Sequence, residues 1–349
     1  MKKVLKKGLA FLLAAVMTFG LMTGCGNKPN DSNNESTSTQ ETGSGDKLKI
    51  AFIPQLVGIP YFTAMESGGK KAAEDLGVEF LYTGATQASA AEQVKIMDSL
   101  IKQGVNAISL SVLDSSSTNP YIKKAQDAGI NVFTSDSDAP DSSREFYVAQ
   151  ALDEDLGRVL MQRLAEQIGG EGKVGIVSGE STATNLNSWI SYMQKEQEEN
   201  YPDIEIVDIR YTQGGSSEQA LKQAQELMTR YSDLKGLVAV ASSTIPGVAQ
   251  AVWQEGKQGK VAVIGYGSPA TVKPFIDSGV MQESILWDAY ELGYLTVWAG
   301  KMAAEGKEFE PTNNIEGITN LVTWDAENKI LLLGEPLVIN KDNVEDFDF

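Results

Sequence analysis

One run of five elements is written twice in this chain, and that duplication limits the possible folds more than any single motif does. The first copy reads strand over 48–54, helix over 60–76, strand over 78–83, helix over 90–103 and strand over 107–112. The second reads strand over 174–178, helix over 189–200, strand over 204–211, helix over 218–231 and strand over 236–241. The second helix of each copy opens on a capping-box pattern, Ser89 to Glu92 in one and Ser216 to Gln219 in the other, in which side chains satisfy first-turn N–H groups. Short apolar strands alternating with amphipathic helices predict parallel sheets covered by helices on both faces. Two such units predict two similar α/β lobes.

In open α/β sheets a ligand sits beyond the carboxyl ends of the strands. Function is therefore sought in the loops 54–61, 113–118, 135–140, 179–187, 242–246 and 265–269. Gly265-Tyr-Gly267 is not a dinucleotide fingerprint, because Pro269 and the missing third glycine break the pattern. With no histidine in the chain, a Ser-His-Asp triad, a His-ligated zinc site and a histidine general base are excluded.

The first 46 residues have a different character. Lys2, Lys3, Lys6 and Lys7 precede an apolar stretch over 8–22, and Thr23-Gly24-Cys25 closes it. This is the form of a secretory signal, with an apolar stretch shorter than the roughly 20 residues that span a bilayer. Its end resembles a bacterial lipobox. Cys25, the only cysteine, would be the lipid-modified first residue of the mature chain, and 26–46, rich in Asn, Ser, Thr and Gly, a flexible tether. The expected location is outside the cytoplasm, at a membrane surface. Without the four signal lysines the mature chain has 25 basic residues against 47 acidic ones, a formal charge of −22. Nucleic acid and anionic headgroups would be repelled.

The signal, the tether and the duplicated unit together resemble the sugar-binding proteins of bacterial ABC importers, with the type I periplasmic-binding-protein fold. Within that family the likeness is to autoinducer-2-binding and rhamnose-binding receptors. It covers 48–349 and rests on Ile50-Ala-Phe-Ile-Pro-Gln-Leu-Val-Gly58, Thr134-Ser-Asp-Ser-Asp138, Thr182-Ala-Thr-Asn-Leu-Asn-Ser-Trp189, Leu286-Trp-Asp288 and the ending Asn340-Lys-Asp-Asn-Val-Glu-Asp-Phe-Asp-Phe349. The resemblance implies two lobes joined by three hinge crossings, near 150–153, 287–290 and 318–323. Lobe one would be 48–150 with 291–320, and lobe two 151–290 with 321–349, after a signal over 1–24 and a tether over 25–47. It also implies a monomeric binding protein without catalysis, cofactor or metal, which closes over a small neutral sugar or polyol and delivers it to a permease. A sensor that presents the ligand for chemotaxis or quorum signalling is the alternative on the same fold.

A sugar offers apolar C–H faces and several hydroxyls, so its site needs aromatic rings for the faces and carboxylates or amides for the hydroxyls. By the resemblance, Asp136 holds ligand hydroxyls and Tyr61 with Phe62 lines the pocket. Asn185, Gln55, Ser242, Trp287 and Asp288 complete the expected ligand set, while Asp138 is expected to turn its loop, and Trp253 and Trp298 to pack. By the resemblance, Gln55 and Leu186 depart from both receptor classes, Ser242 departs from the autoinducer-2 receptors, and Asp288 follows the autoinducer-2 side, so the sequence falls between two ligand classes.

Overall fold

Residue 50 points to one face of its strand and residue 51 to the other, and both are fully buried. This is the signature of a strand in the middle of a sheet covered on both sides. The computed structural model describes residues 47–347 and 349. The signal, Cys25 and the tether up to residue 46 lie outside the described residues.

The first lobe begins with β1 (Lys49–Ile53), α1 (Pro60–Leu76), β2 (Glu79–Tyr82), α2 (Ala90–Gln103), β3 (Ala107–Leu110), α3 (Ser115–Asp127), β4 (Asn131–Ser135) and β5 (Tyr147–Ala149). The chain then crosses to α4 (Asp153–Ile168), β6 (Gly172–Ser178), α5 (Thr184–Asn200), β7 (Ile204–Tyr211), α6 (Ser217–Arg230), β8 (Leu234–Ala239), α7 (Ile245–Gln254), β9 (Ala262–Gly265), α8 (Pro269–Asp277) and β10 (Glu283–Leu286). Last come α9 (Ala289–Ala304), β11 (Thr312–Asn313), β12 (Val322–Asp325), β13 (Ile330–Leu332) and β14 (Leu337–Asn340).

The first sheet has the order β11-β12-β13-β5-β4-β3-β1-β2 and the second β7-β6-β8-β9. A bridge from Tyr266 to Ile285 attaches the antiparallel pair β10-β14 to the second sheet. The β1, β3, β4 and β5 strands run parallel, so their carboxyl ends share one edge. Ile50 and Phe52 face the side covered by α1 and α9, and Ala51 and Ile53 the side covered by α2 and α3. The α9 helix is buried on most sides because it lies between α1 and the strands β1, β3, β4 and β5. That contact depends on glycine. A Cβ on Gly293 would stand 2.0 Å from the Met65 carbonyl oxygen, and one on Gly68 1.9 Å from that of Tyr290.

Both predicted capping serines act, each accepting from the N–H three residues on, in Glu92 and Gln219. The return half of each box is absent. Glu92 pairs with Lys95 at 2.6 Å, and the Gln219 amide oxygen accepts from the Gln213 N–H at 2.9 Å. Two expectations need correction. The third crossing lies at 333–336, between β13 and β14, rather than near 318–323. The stretch 321–349, assigned to lobe two, is divided: β12 and β13 join the first sheet, where β13 pairs with β5. The cause is a hairpin turn in which Asp325 accepts from the N–H groups of Glu327 and Asn328, turning the chain back before it crosses. Trp298 packs on Phe309, whereas Trp253 is 46 % exposed and belongs to no core.

Candidate ligand-binding site

The loops that follow β1, β4 and β8 meet the start of α5 and the second crossing around a cavity of about 40 Å³. Seven of the eight sequence-predicted ligand residues line it: Gln55, Tyr61, Phe62, Asp136, Asn185, Ser242 and Trp287. Asp288 does not. It caps α9 by accepting from the Glu291 N–H at 2.8 Å, because the crossing ends one residue before the helix and the N-cap position claims its carboxylate.

Asp136 follows β4 directly and has a positive φ of 70°, a region that Asp tolerates better than most residues and that a surrounding scaffold must hold. Here the scaffold is dense. The Asp136 N–H donates to Val148 O, and its carbonyl accepts from Tyr147 and Gln150, each at 3.1 Å. The next residue, Ser137, ties the loop to the segment after β3 by donating its hydroxyl to Val112 O at 2.6 Å. So held, the carboxylate accepts one hydroxyl on each oxygen, from Tyr61 and from Ser111, both at 2.5 Å. Trp287 donates its indole N–H to the Tyr61 hydroxyl at 2.9 Å.

Asp136 is 3 % exposed. Burial pushes its carboxyl up to about 6, against the pull of the Ser111 and Tyr61 hydrogen bonds, and the Asp153 charge adds a smaller push. Burial also raises Tyr61 well above the usual phenol range, with the neighbouring Asp136 charge as the second cause. A charged acceptor in so dry a place strengthens any hydroxyl that reaches it.

Rings form the wall beside this acceptor. Tyr61 meets Phe62 and Trp287 edge-on, Trp287 meets Trp189, and Trp189 meets Tyr266. The opposite lobe adds Asn185 and Leu186 from the first turn of α5, and Ser242 and Ser243 after β8. Gln55 spans the cleft, donating to Val112 O and to the Asn185 amide oxygen, each at 3.2 Å. Ser115 and Thr184 add a hydroxyl pair at 3.2 Å, and Ala88 N–H reaches Gly214 O at 3.4 Å. The lobes are closed on each other.

Sequence reasoning missed Leu56, Ile59, Trp189, Ala241 and Ser243 as lining residues. Trp189 was within reach. The α5 helix was expected from residue 189 but starts at Thr184, and its N-cap, Ala183, makes no side-chain cap. With the true start, Asn185 and Trp189 fall at i and i+4 on one helix face. Asp138 turned out to be structural. Its carboxylate takes a two-pronged bond from Arg144, at 2.5 and 2.6 Å, and another from Thr134.

The lobed architecture with its site in the cleft is one that known proteins share, and residues 50–308 match the periplasmic binding protein domain family. The chain belongs to that family. This periplasmic binding protein is 26 % identical over 247 residues to the D-ribose/D-allose-binding protein of Pseudomonas aeruginosa, covering 67 % of this chain and 75 % of that one. It is similar to the structure of LsrB from Clostridium saccharobutylicum in complex with AI-2, at 28 % identity and a TM-score of 0.80, over 86 % of this chain and all of that one. It is also similar to a sugar ABC transporter structure from Actinomyces odontolyticus, at 31 % identity and a TM-score of 0.68, over 88 % of this chain and all of that one. These are binding proteins, not enzymes.

Proposed function

We propose that this periplasmic binding protein is the extracytoplasmic receptor of an ABC importer, anchored through a lipid on Cys25, and that it captures a small neutral sugar or polyol between its lobes and hands it to the permease as a monomer. The observation that carries the reading is the buried Asp136 carboxylate, held by hydroxyls of Tyr61 and Ser111 and lining, with Tyr61, a cavity walled by aromatic rings. No lysine or arginine lines that cavity. An anionic ligand would therefore meet Asp136 without a compensating charge, whereas hydroxyls can donate to it at about 1.5 to 3 kcal/mol each.

A rhamnose-like sugar or an AI-2-like furanosyl polyol fits best. Both combine a few hydroxyls with an apolar portion, as the lining combines Asp136, Gln55 and Asn185 with Leu56, Ile59 and Leu186. The names of the relatives support a sugar or AI-2 ligand in general. The closed cavity of about 40 Å³ is only a few times the roughly 10–15 Å³ that one water needs, so ligand enters with the lobes apart and closure follows.

The test is a thermal-shift titration of unfolded and refolded protein against L-rhamnose, a panel of pentoses and hexoses, and AI-2. Ligand at a hundred times its Kd adds about 2.7 kcal/mol, a shift of several degrees. A shift with L-rhamnose or AI-2 alone is the expected result. Silence across the whole panel would remove the sugar-receptor reading.

A further inference from the structure

The first crossing ends at Asp153, the opening residue of α4, and this residue holds a ring of the ligand cavity from behind. Its carboxylate accepts the Trp189 indole N–H at 2.8 Å, and Trp189, 3 % exposed, lines the interlobe cavity. Three residues earlier, Gln150 donates to the Asp136 carbonyl at 3.1 Å. One short stretch of chain therefore holds the anchor of lobe one at one end and a ring of lobe two at the other.

The remaining contacts of Trp189 do not set its orientation. Tyr266 and Trp287 meet it with ring centroids 4.6 and 5.9 Å away, and such contacts restrict where a ring lies more than which of its edges faces the cavity. The Tyr266 hydroxyl is buried without a hydrogen-bond partner, so it does not steer the indole. The backbone is fixed separately, since α4 approaches α5 so closely at Gly157 that a Cβ there would stand 2.5 Å from Trp189 O. Nor does α4 need Asp153 for its own start, because Glu154 and Asp155 already place acid in its first turn. Burial raises the Asp153 carboxyl, opposed by hydrogen bonds from Ser188 and Trp189.

We infer that Asp153 is a positioning residue of the ligand site: by accepting the indole N–H it holds the Trp189 ring in the orientation that walls the cavity, and so sets affinity for the sugar. Asp153 itself does not line the cavity. In a closed space of about 40 Å³, an indole free to turn is large enough to obstruct the ligand. The inference rests on the reading of the cleft as a sugar site.

Two measurements on the full chain test it. The first needs no ligand and follows deuterium exchange of the Trp189 indole N–H by NMR, the resonance being assigned by its loss in Trp189→Phe. Exchange should be at least tenfold faster in Asp153→Ala and within threefold of wild type in Asp153→Asn, whose amide oxygen still accepts. The second is calorimetric titration with L-rhamnose. Asp153→Ala should weaken binding at least tenfold and Asp153→Asn less than threefold, while Asp153→Ala should add no loss in a Trp189→Phe background, which has no N–H to hold. A merely structural role in α4 would lower affinity equally with or without the indole. The inference is overturned if indole exchange is unchanged in Asp153→Ala, if Asp153→Asn loses as much affinity as Asp153→Ala, or if the loss persists in Trp189→Phe. Wild-type protein that takes up no L-rhamnose would count against that sugar as the ligand, and the exchange measurement alone would then decide the role of Asp153.

Discussion

The two lobes share one scaffold and divide the site unequally. Each receives a helix from across a crossing: α4 packs on α5 in the second lobe, and α9 packs on α1 in the first. Both helices carry an acidic residue, Leu and Gly in a row, Asp155-Leu156-Gly157 and Glu291-Leu292-Gly293. At both glycines the partner helix comes too close for a side chain, with a Cβ on Gly157 only 2.5 Å from Trp189 O. The loops diverge where the scaffold does not. After the fourth strand of lobe one stands Asp136, a carboxylate in the cavity, and after the corresponding strand β9 stands Tyr266, 1 % exposed and packed behind Trp189. Lobe one thus supplies the charged, hydrogen-bonded anchor, and lobe two supplies amides, hydroxyls and an indole that close over it. The scaffold repeats because packing requires it, whereas the carboxylate at the strand end does not repeat. Ligand should settle on lobe one before lobe two closes.

Asp136→Ala is the strongest way to break this asymmetry. If ligand hydroxyls donate to this carboxylate as proposed, removing it should cost about 4 kcal/mol, or roughly a thousandfold in Kd by calorimetry. If the variant binds as the wild type does, lobe one is not the anchor.

The shared scaffold is tested next by Gly293→Ala and Gly157→Ala. Each forces two helices apart, and each should cost about 3 kcal/mol in denaturant unfolding. Similar losses would show that the lobes are equivalent in packing while unequal in chemistry, and a loss confined to one would break the structural half of the comparison.

Acidity probes the anchor from another side. Because burial raises the Asp136 carboxyl to about 6, its contribution to stability is complete below the ordinary carboxylate range and is lost as pH rises through about 6. The loss is about 2 to 3 kcal/mol, from the size of the shift. Asp136→Asn removes that dependence, so its stability relative to wild type should improve between pH 4 and pH 7. A gap that stays constant with pH would mean that the carboxyl titrates normally. Ligand affinity should move the other way, weakening below pH 6 as the acceptor is protonated.

The smallest effect belongs to lobe two. Asn185→Ala removes a neutral hydrogen bond and the Gln55 bridge, about 1 kcal/mol, or roughly fivefold in affinity. A loss as large as that of Asp136→Ala would make the two lobes equal partners.

Much of the scaffold was legible because it is local. The helices α1 and α2 begin and end where the apolar period and the capping residues put them, and Asp136 and Tyr61 were picked out by the family resemblance, one after a strand and the other at a helix start. Less was legible where a boundary lacked a local signal. Ala183 offers no cap, so the start of α5 was placed five residues late and Trp189 was left outside the site. The hairpin at Asp325 carries its signal in an Asx turn that is weak beside the strand pattern, so the third crossing was placed too early.

By itself the sequence determined the repeated α/β unit, the absence of histidine chemistry and the acidic surface, since periodicity and composition act over a few residues or over the whole chain at once. Only the tertiary structure decided that Ser111 and Tyr61, from separate segments, converge on one carboxylate while Trp287 donates to the Tyr61 hydroxyl, and that Asp288 beside Trp287 caps a helix instead. Convergence of that kind depends on where distant strand ends meet, and on burial that raises a carboxyl, which no local pattern encodes.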